Sequence, residues 1–309
     1  MKLSKLYIIA AAFLLVGIIV FVAGFAMLDF DFSNFDTEPV YTPMKYTESG
    51  SISGIVIKDD GADIKFTQSS DKKIHIKYYE NGVRTYEITK LEGDILSVEL
   101  KNNADWKQKL SLSRSTPVIT VMLPKKFRGD IRIESQKGDV EFDSVVAEGV
   151  TVTSSGGDIR MFGCTVSGNM TATAQSGNVE LYNNKISGVS QFNSFRGNIL
   201  AQLVTASEIY VDTTRGHVTL ADVSSLGNIF GECDGGDIRL SALGAKQSIT
   251  LIADGGSIRG SLSGHADDYA YNCNAQGGNC NLPQNNLGGK KNLNLRTQNG
   301  DIDISIATK

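Results

Sequence analysis

The sequence predicts an all-β protein: a single-stacked parallel β-solenoid with coils of about 20 residues, an antiparallel β N-terminal cap and one N-terminal transmembrane helix. Three observations carry this. Glycine followed by a small polar and then an apolar residue returns at Gly138, Gly157, Gly177, Gly197, Gly216, Gly236, Gly256, Gly278 and Gly300, at intervals of 19, 20, 20, 19, 20, 20, 22 and 22. Aligned on the glycine, the flanking residues alternate apolar and polar with period two, the mark of a strand with one wet face. Finally, Leu6 to Leu28 are 23 residues without a charge.

Taken from the start, residues 1–5 read as a cytoplasmic tail and 6–28 as a membrane-spanning helix, long enough to cross the hydrocarbon core. Lys2 and Lys5 precede it while Asp29, Asp31, Asp36 and Glu38 follow, which places the N-terminus inside and the rest outside the cell membrane. A cleaved signal peptide ending at Gly24-Phe25-Ala26, and hence secretion, is the competing reading. Residues 29–47, with Pro39 and Pro43, read as an extended linker. From 48 to 128 alternating runs without the twenty-residue period suggest a β-rich cap at the membrane-proximal end, where an uncovered coil would offer unpaired backbone. Asn81-Gly82 predicts a hairpin between the runs on either side of it.

Residues 129–309 are the repeats. Two places after each glycine stand Val140, Ile159, Val179, Ile199, Val218, Ile238 and Ile258; seven places before stand Val150, Met170, Ile209, Ile229 and Ile249. Each unit is therefore strand, turn, strand, turn, and successive units stack in chain order to bury what one coil cannot bury alone. The glycine is expected to serve a corner needing positive φ. Asp139, Asp158, Asn178, Asn198, Asp237 and Asp301 beside it are expected to form a turn-stabilising ladder, interrupted at His217 and Ser257. Apolar residues at the corner after the first strand, the one that follows the glycine, such as Val166, Ile186 and Val223, allow a third inward edge, though two faces are the simpler expectation.

The run Ile119-Thr120-Val121-Met122-Leu123-Pro124, leading into Gly129-Asp130-Ile131 and the repeated phrases, resembles the "putative adhesin" domain family of bacterial cell-envelope proteins, over residues 48 to 309. That resemblance implies a non-catalytic, often membrane-tethered β-solenoid of unknown biochemical function, and it carries over no catalytic residues.

No candidate site has the marks of an enzyme. The Asp/Asn column offers one carboxylate or amide per coil, whereas calcium needs six to eight converging oxygens, so no metal or cofactor is expected. His265 with Asp267 and Asp268 reads as a solvated loop. The net charge of −4 arises from interspersed signs, which excludes nucleic acid as a natural partner. Tyr210 and Phe230 fall on the outer face of neighbouring coils, as do Arg239 and Arg259, and are the possible surface-binding residues. Cys164 and Cys233 fill repeat positions as buried thiols, while Cys273 and Cys280 flank Gly277-Gly278 and can form a local disulfide. The expected function is an adhesion-like, scaffold or envelope-stress accessory module contacting cell-wall glycan or an envelope protein. A polysaccharide-processing enzyme and a self-assembling structural protein are the alternatives.

Overall fold

In a computed structural model of the protein, residues 3–26, 40–102, 116–283, 285–286 and 288–307 are described. Met27 to Glu38, most of the expected linker, and Trp106 lie outside them. The chain divides into two units, the second formed by residues 41–103 and 116–309.

Among the described residues the first unit contains one helix, Leu3–Ala26. Its described apolar side chains, including Phe13, Leu14, Leu15, Ile18 and Ile19, are exposed. Among the described residues no helix is long and apolar enough to cross a membrane. Side chains at 3–6, 8–11 and 25 lie outside those described, so the described ones run unbroken only from Ala12 to Gly24.

In the second unit, parallel strands pair coil to coil without slippage through the middle of the chain. Val150–Ser154 pairs with Met170–Ala174 so that Val150 faces Met170 and Val152 faces Ala172. Ile159–Phe162 pairs with Val179–Tyr182 in the same way. Burial alternates strictly along these strands, which stacks the inward apolar columns into one continuous core. A third, two-residue strand follows in five of the coils, as at Thr165–Val166 and Lys185–Ile186. Val166, Ile186, Val204, Val223, Leu243 and Leu262 are buried there. The coil thus has three inward edges where two were expected, because apolar side chains at that corner have no other place to bury.

The N-terminal region differs from the expected cap. We label its strands β1 (Thr42–Glu48), β2 (Gly54–Asp59), β3 (Asp63–Gln68), β4 (Ile74–Glu80), β5 (Arg84–Leu91), β6 (Ile95–Asn102) and β7 (Val118–Leu123), followed by β8 (Asp130–Ser135) and β9 (Val140–Asp143). β2 and β3 are a coil of the stack itself: β2 pairs in parallel with β8 and β3 with β9, placing Phe66 against Phe142 with ring centroids 4.8 Å apart. On their other side β2 pairs with β6 and β3 with β7, again in parallel. The cap proper is therefore antiparallel β4 and β1 on one sheet and β5 on the other. Thr42 to Thr47, expected within the linker, belong to strand β1. Asn81-Gly82 forms a turn, with Asn81 Oδ1 accepting from Val83 and Arg84 N–H, but not a hairpin. Its strands enter different sheets, and β5 pairs instead with β6 across Gly93 and Asp94, both at positive φ.

The C-terminal end departs from chain order too. Lys291–Thr297 pairs directly with Ser248–Ala253, and Tyr269–Ala275 lies outside it. The last coil of the chain is thus sandwiched between two earlier ones. Cys273 and Cys280 are joined by a disulfide within that outer coil, with Cα atoms 6.6 Å apart.

Candidate functional site

The repeated corner is built by contact. None of the repeat glycines from Gly138 to Gly256 has positive φ. A Cβ on Gly177 would instead lie 2.1 Å from the carbonyl oxygen of Gly157, and one on Gly216 would lie 1.9 Å from that of Gly197. Coils approach so closely at this edge that only glycine fits. The left-handed residues stand at the other corner, six places on: Ser144, Gly163, Asn183, Leu203, Asp222 and Ala242, at φ from 50° to 63°.

Beside the glycines runs a side-chain ladder. Asp63 Oδ1 accepts from the Asp139 backbone N–H, Asp139 from Asp158, Asp158 from Asn178, Asn178 from Asn198 and Asn198 from His217, at 2.8–2.9 Å. His217 Nδ1 accepts from Asp237 N–H at 2.9 Å, Asp237 Oδ1 from Ser257, Ser257 Oγ from Asp301 and Asp301 Oδ1 from Asn279. His217 and Ser257, expected to interrupt the column, are rungs of it, since imidazole nitrogen and hydroxyl oxygen also accept. The Ser257 N–H holds the Asp237 carboxyl below its ordinary value. The small column three places before the glycine has a role of its own. Ser135, Ser154 and Thr297 donate to the carbonyl of their own glycine, and Ser194, Thr213 and Cys233 to that of the preceding coil.

On the outer face, alternating charges pair across coils: Lys65 with Glu141 at 2.7 Å, and Arg160 with Asp139, Asp158 and Glu180. Arg239 and Arg259 are register neighbours, but each has a carboxylate, Asp237 at 3.1 Å and Asp301 at 3.6 Å. Ladder carboxylates thus serve these arginines as counter-ions. Tyr210 and Phe230 are brought side by side on adjacent strands, Tyr210 exposed with its hydroxyl donating to Glu208 and Phe230 half-buried. Beside Arg239 lies an open groove of about 280 Å³ lined by Asn178, Glu180, Asn198, His217 and Thr219.

Two charged clusters are not among the expected sites. Asp59 is buried and accepts from Arg84 and from the Tyr86 hydroxyl, which tie the turn before β5 to the corner between β2 and β3. Burial, with the Asp59 carboxylate beside it, raises the Tyr86 phenol well above its ordinary value. Asp59 stands in the small column, so aligning Ala62 with the glycines would have found it. Farther along the same sheet Asp212 faces Glu232, and partial burial followed by neighbouring carboxylates raises both. Cys164 and Cys233 are free and buried, and burial pushes the Cys164 thiol up to about 11. Among the described residues no group of three or more His, Cys, Asp or Glu is arranged to hold a metal ion.

A family model described as Toastrack DUF4097 matches residues 52–305. Among solved structures, a "putative adhesin" from Bacteroides fragilis is 15% identical with a TM-score of 0.51, covering 87% of this chain and 100% of its own. Another, from Parabacteroides merdae, is 12% identical with a TM-score of 0.42, covering 87% and 97%. A "putative lipid binding protein" from Parabacteroides distasonis is 14% identical with a TM-score of 0.40, covering 87% and 99%. No curated protein matches the chain.

Proposed function

Because the chain belongs to the Toastrack DUF4097 family, we propose that it is a non-catalytic, membrane-anchored module that works outside the cell by surface contact, in an adhesion-like or scaffolding role. The observation that carries this is the uninterrupted parallel register. Equal positions recur at the strand spacing of about 4.8 Å over many coils, which makes an extended surface suited to an extended partner. Tyr210 and Phe230, adjacent on that surface, are contact residues for envelope glycan or protein, since aromatic faces stack on sugars and anchor partners. The exposed apolar side chains of Leu3–Ala26, within the uncharged run from Leu6 to Leu28, support anchoring by this helix.

The test uses the detergent-solubilised full chain, sedimented with isolated cell-wall fragments while released sugar is measured in the supernatant. Sedimentation without release, weakened by Tyr210→Ser with Phe230→Ser, is the expected result. Sugar release would replace this reading with a polysaccharide-processing enzyme. Extraction of the cell-associated chain by alkaline carbonate would refute the anchor.

A further inference from the structure

Phe195 stands on the corner that follows the strand Val189–Ser194 and is 47% exposed. The guanidinium carbons of Arg196 and Arg215 lie 5.9 and 5.8 Å from its ring centroid. Each arginine immediately precedes a repeat glycine, Gly197 and Gly216, so the two hold equal positions on adjacent coils. Both are exposed, and among the described residues neither forms an ion pair. Arg132, Arg160, Arg239 and Arg259, by contrast, each have a carboxylate within 3.6 Å. Arg296 also has no ion pair among the described residues, but its register neighbours are Ile252 and Asn274, with neither a second cation nor an aromatic ring.

Like charges one coil apart repel, and the negative face of one ring offsets this only in part. A bridging oxyanion would complete the arrangement, because two planar guanidinium forks match carboxylate oxygens in pairs. The same column continues through Ser176 and Gly156 to exposed Lys137, so small residues leave an open track along the edge with a cation at its far end. On the opposite side Asp234 and Asp254 would repel an anion, which sets the direction of the track.

We propose that this corner binds an acidic glycan chain, with a sugar face on Phe195, a carboxylate held by Arg196 and Arg215, and the chain running toward Lys137. The proposal rests on the surface-contact reading and names its ligand class and place. Tyr210 and Phe230, on the flat strand face, have no comparable cations.

The test is binding of the full chain in phosphatidylcholine nanodiscs to polygalacturonate, to neutral dextran and to phosphatidylglycerol vesicles. Polygalacturonate alone should bind, more weakly as salt rises. Arg196→Gln with Arg215→Gln should weaken it by about tenfold or more, while Arg239→Gln with Arg259→Gln stays within about twofold of the unaltered chain. Arg196→Lys with Arg215→Lys keeps the charge without the fork and should fall between. All variants should keep their melting temperature, and if the Gln pair does not, the Lys pair decides. Equal binding by the decisive pair, equal binding of dextran, binding of vesicles alone, or no binding to polygalacturonate would overturn the proposal. If cell-wall fragments still sediment the Gln pair normally, this site falls and the surface-contact reading stands. If polygalacturonate binds through this corner but cell-wall fragments never sediment the chain, the reverse holds.

Discussion

Two of the corners of each coil make opposite use of their residues. At the glycine corner the backbone conformation suits any residue, yet a side chain is excluded because the preceding coil's carbonyl occupies its space. At the opposite corner the backbone is left-handed, where glycine would be favoured, yet Leu203, Ala242 and Asp222 are accepted there. From Gly138 onward close stacking therefore excludes a side chain at one edge, whereas backbone strain at the other is small enough for packing to outweigh it.

Breaking the first corner should have the largest effect. Gly216→Ala places its Cβ 1.9 Å from the Gly197 oxygen, and because the atoms it meets are backbone the loss should be about 3 kcal/mol or more, read from urea unfolding. Unchanged stability would mean that the coils can part at this edge. The same corner in the coil of β2 and β3 has Ala62 where the others have glycine, and buried Asp59 where they have a small residue. Asp59→Ala leaves Arg84 with Asp60 as its remaining carboxylate, and should cost about 3 kcal/mol. A much smaller cost would show that water reaches this cluster.

The ladder offers a finer test. Asp237→Ala removes the acceptor for Ser257 N–H and should cost about 1 kcal/mol, whereas Asp237→Asn, which keeps an acceptor as Asn178 and Asn198 do, should cost almost nothing. Since the folded-state pKa of Asp237 is depressed, its contribution is present above the ordinary aspartate value and lost as pH falls through the lower folded value. Asp237→Asn should therefore flatten the acid limb of the melting-temperature profile. The smallest effect is expected at the second corner: Leu203→Gly removes left-handed strain at some cost in chain entropy, for a net gain of about 0.5 kcal/mol. A loss would show that exposed Leu203 makes contacts that matter.

Much of the fold was legible because its signal is local. Alternation around each glycine marks both strands, and the period marks their stacking, as at Val150 and Ile159. The coil of β2 and β3 was hidden although Ile55, Ile57, Ile64 and Phe66 stand in the repeat's own columns, because Ala62 replaces the glycine that anchors the alignment. The surface was less legible. Arg239 and Arg259 stand out as like charges in register, but the carboxylates that serve them come from the ladder. Arg196 and Arg215 drew no notice because their significance is a missing ion pair and a shared ring, neither of which spacing records.

By itself, the sequence determined that the chain forms short strands in coils of about 20 residues, with an acceptor beside almost every repeat glycine, since periodicity and residue chemistry act over a few neighbours. Only the tertiary structure decided that β2 and β3 join the stack, that the last coil lies between two earlier ones, and that glycine is required by contact and not by φ. These outcomes depend on which distant segments share an edge, and identical backbone hydrogen bonds are available to any coil that reaches it.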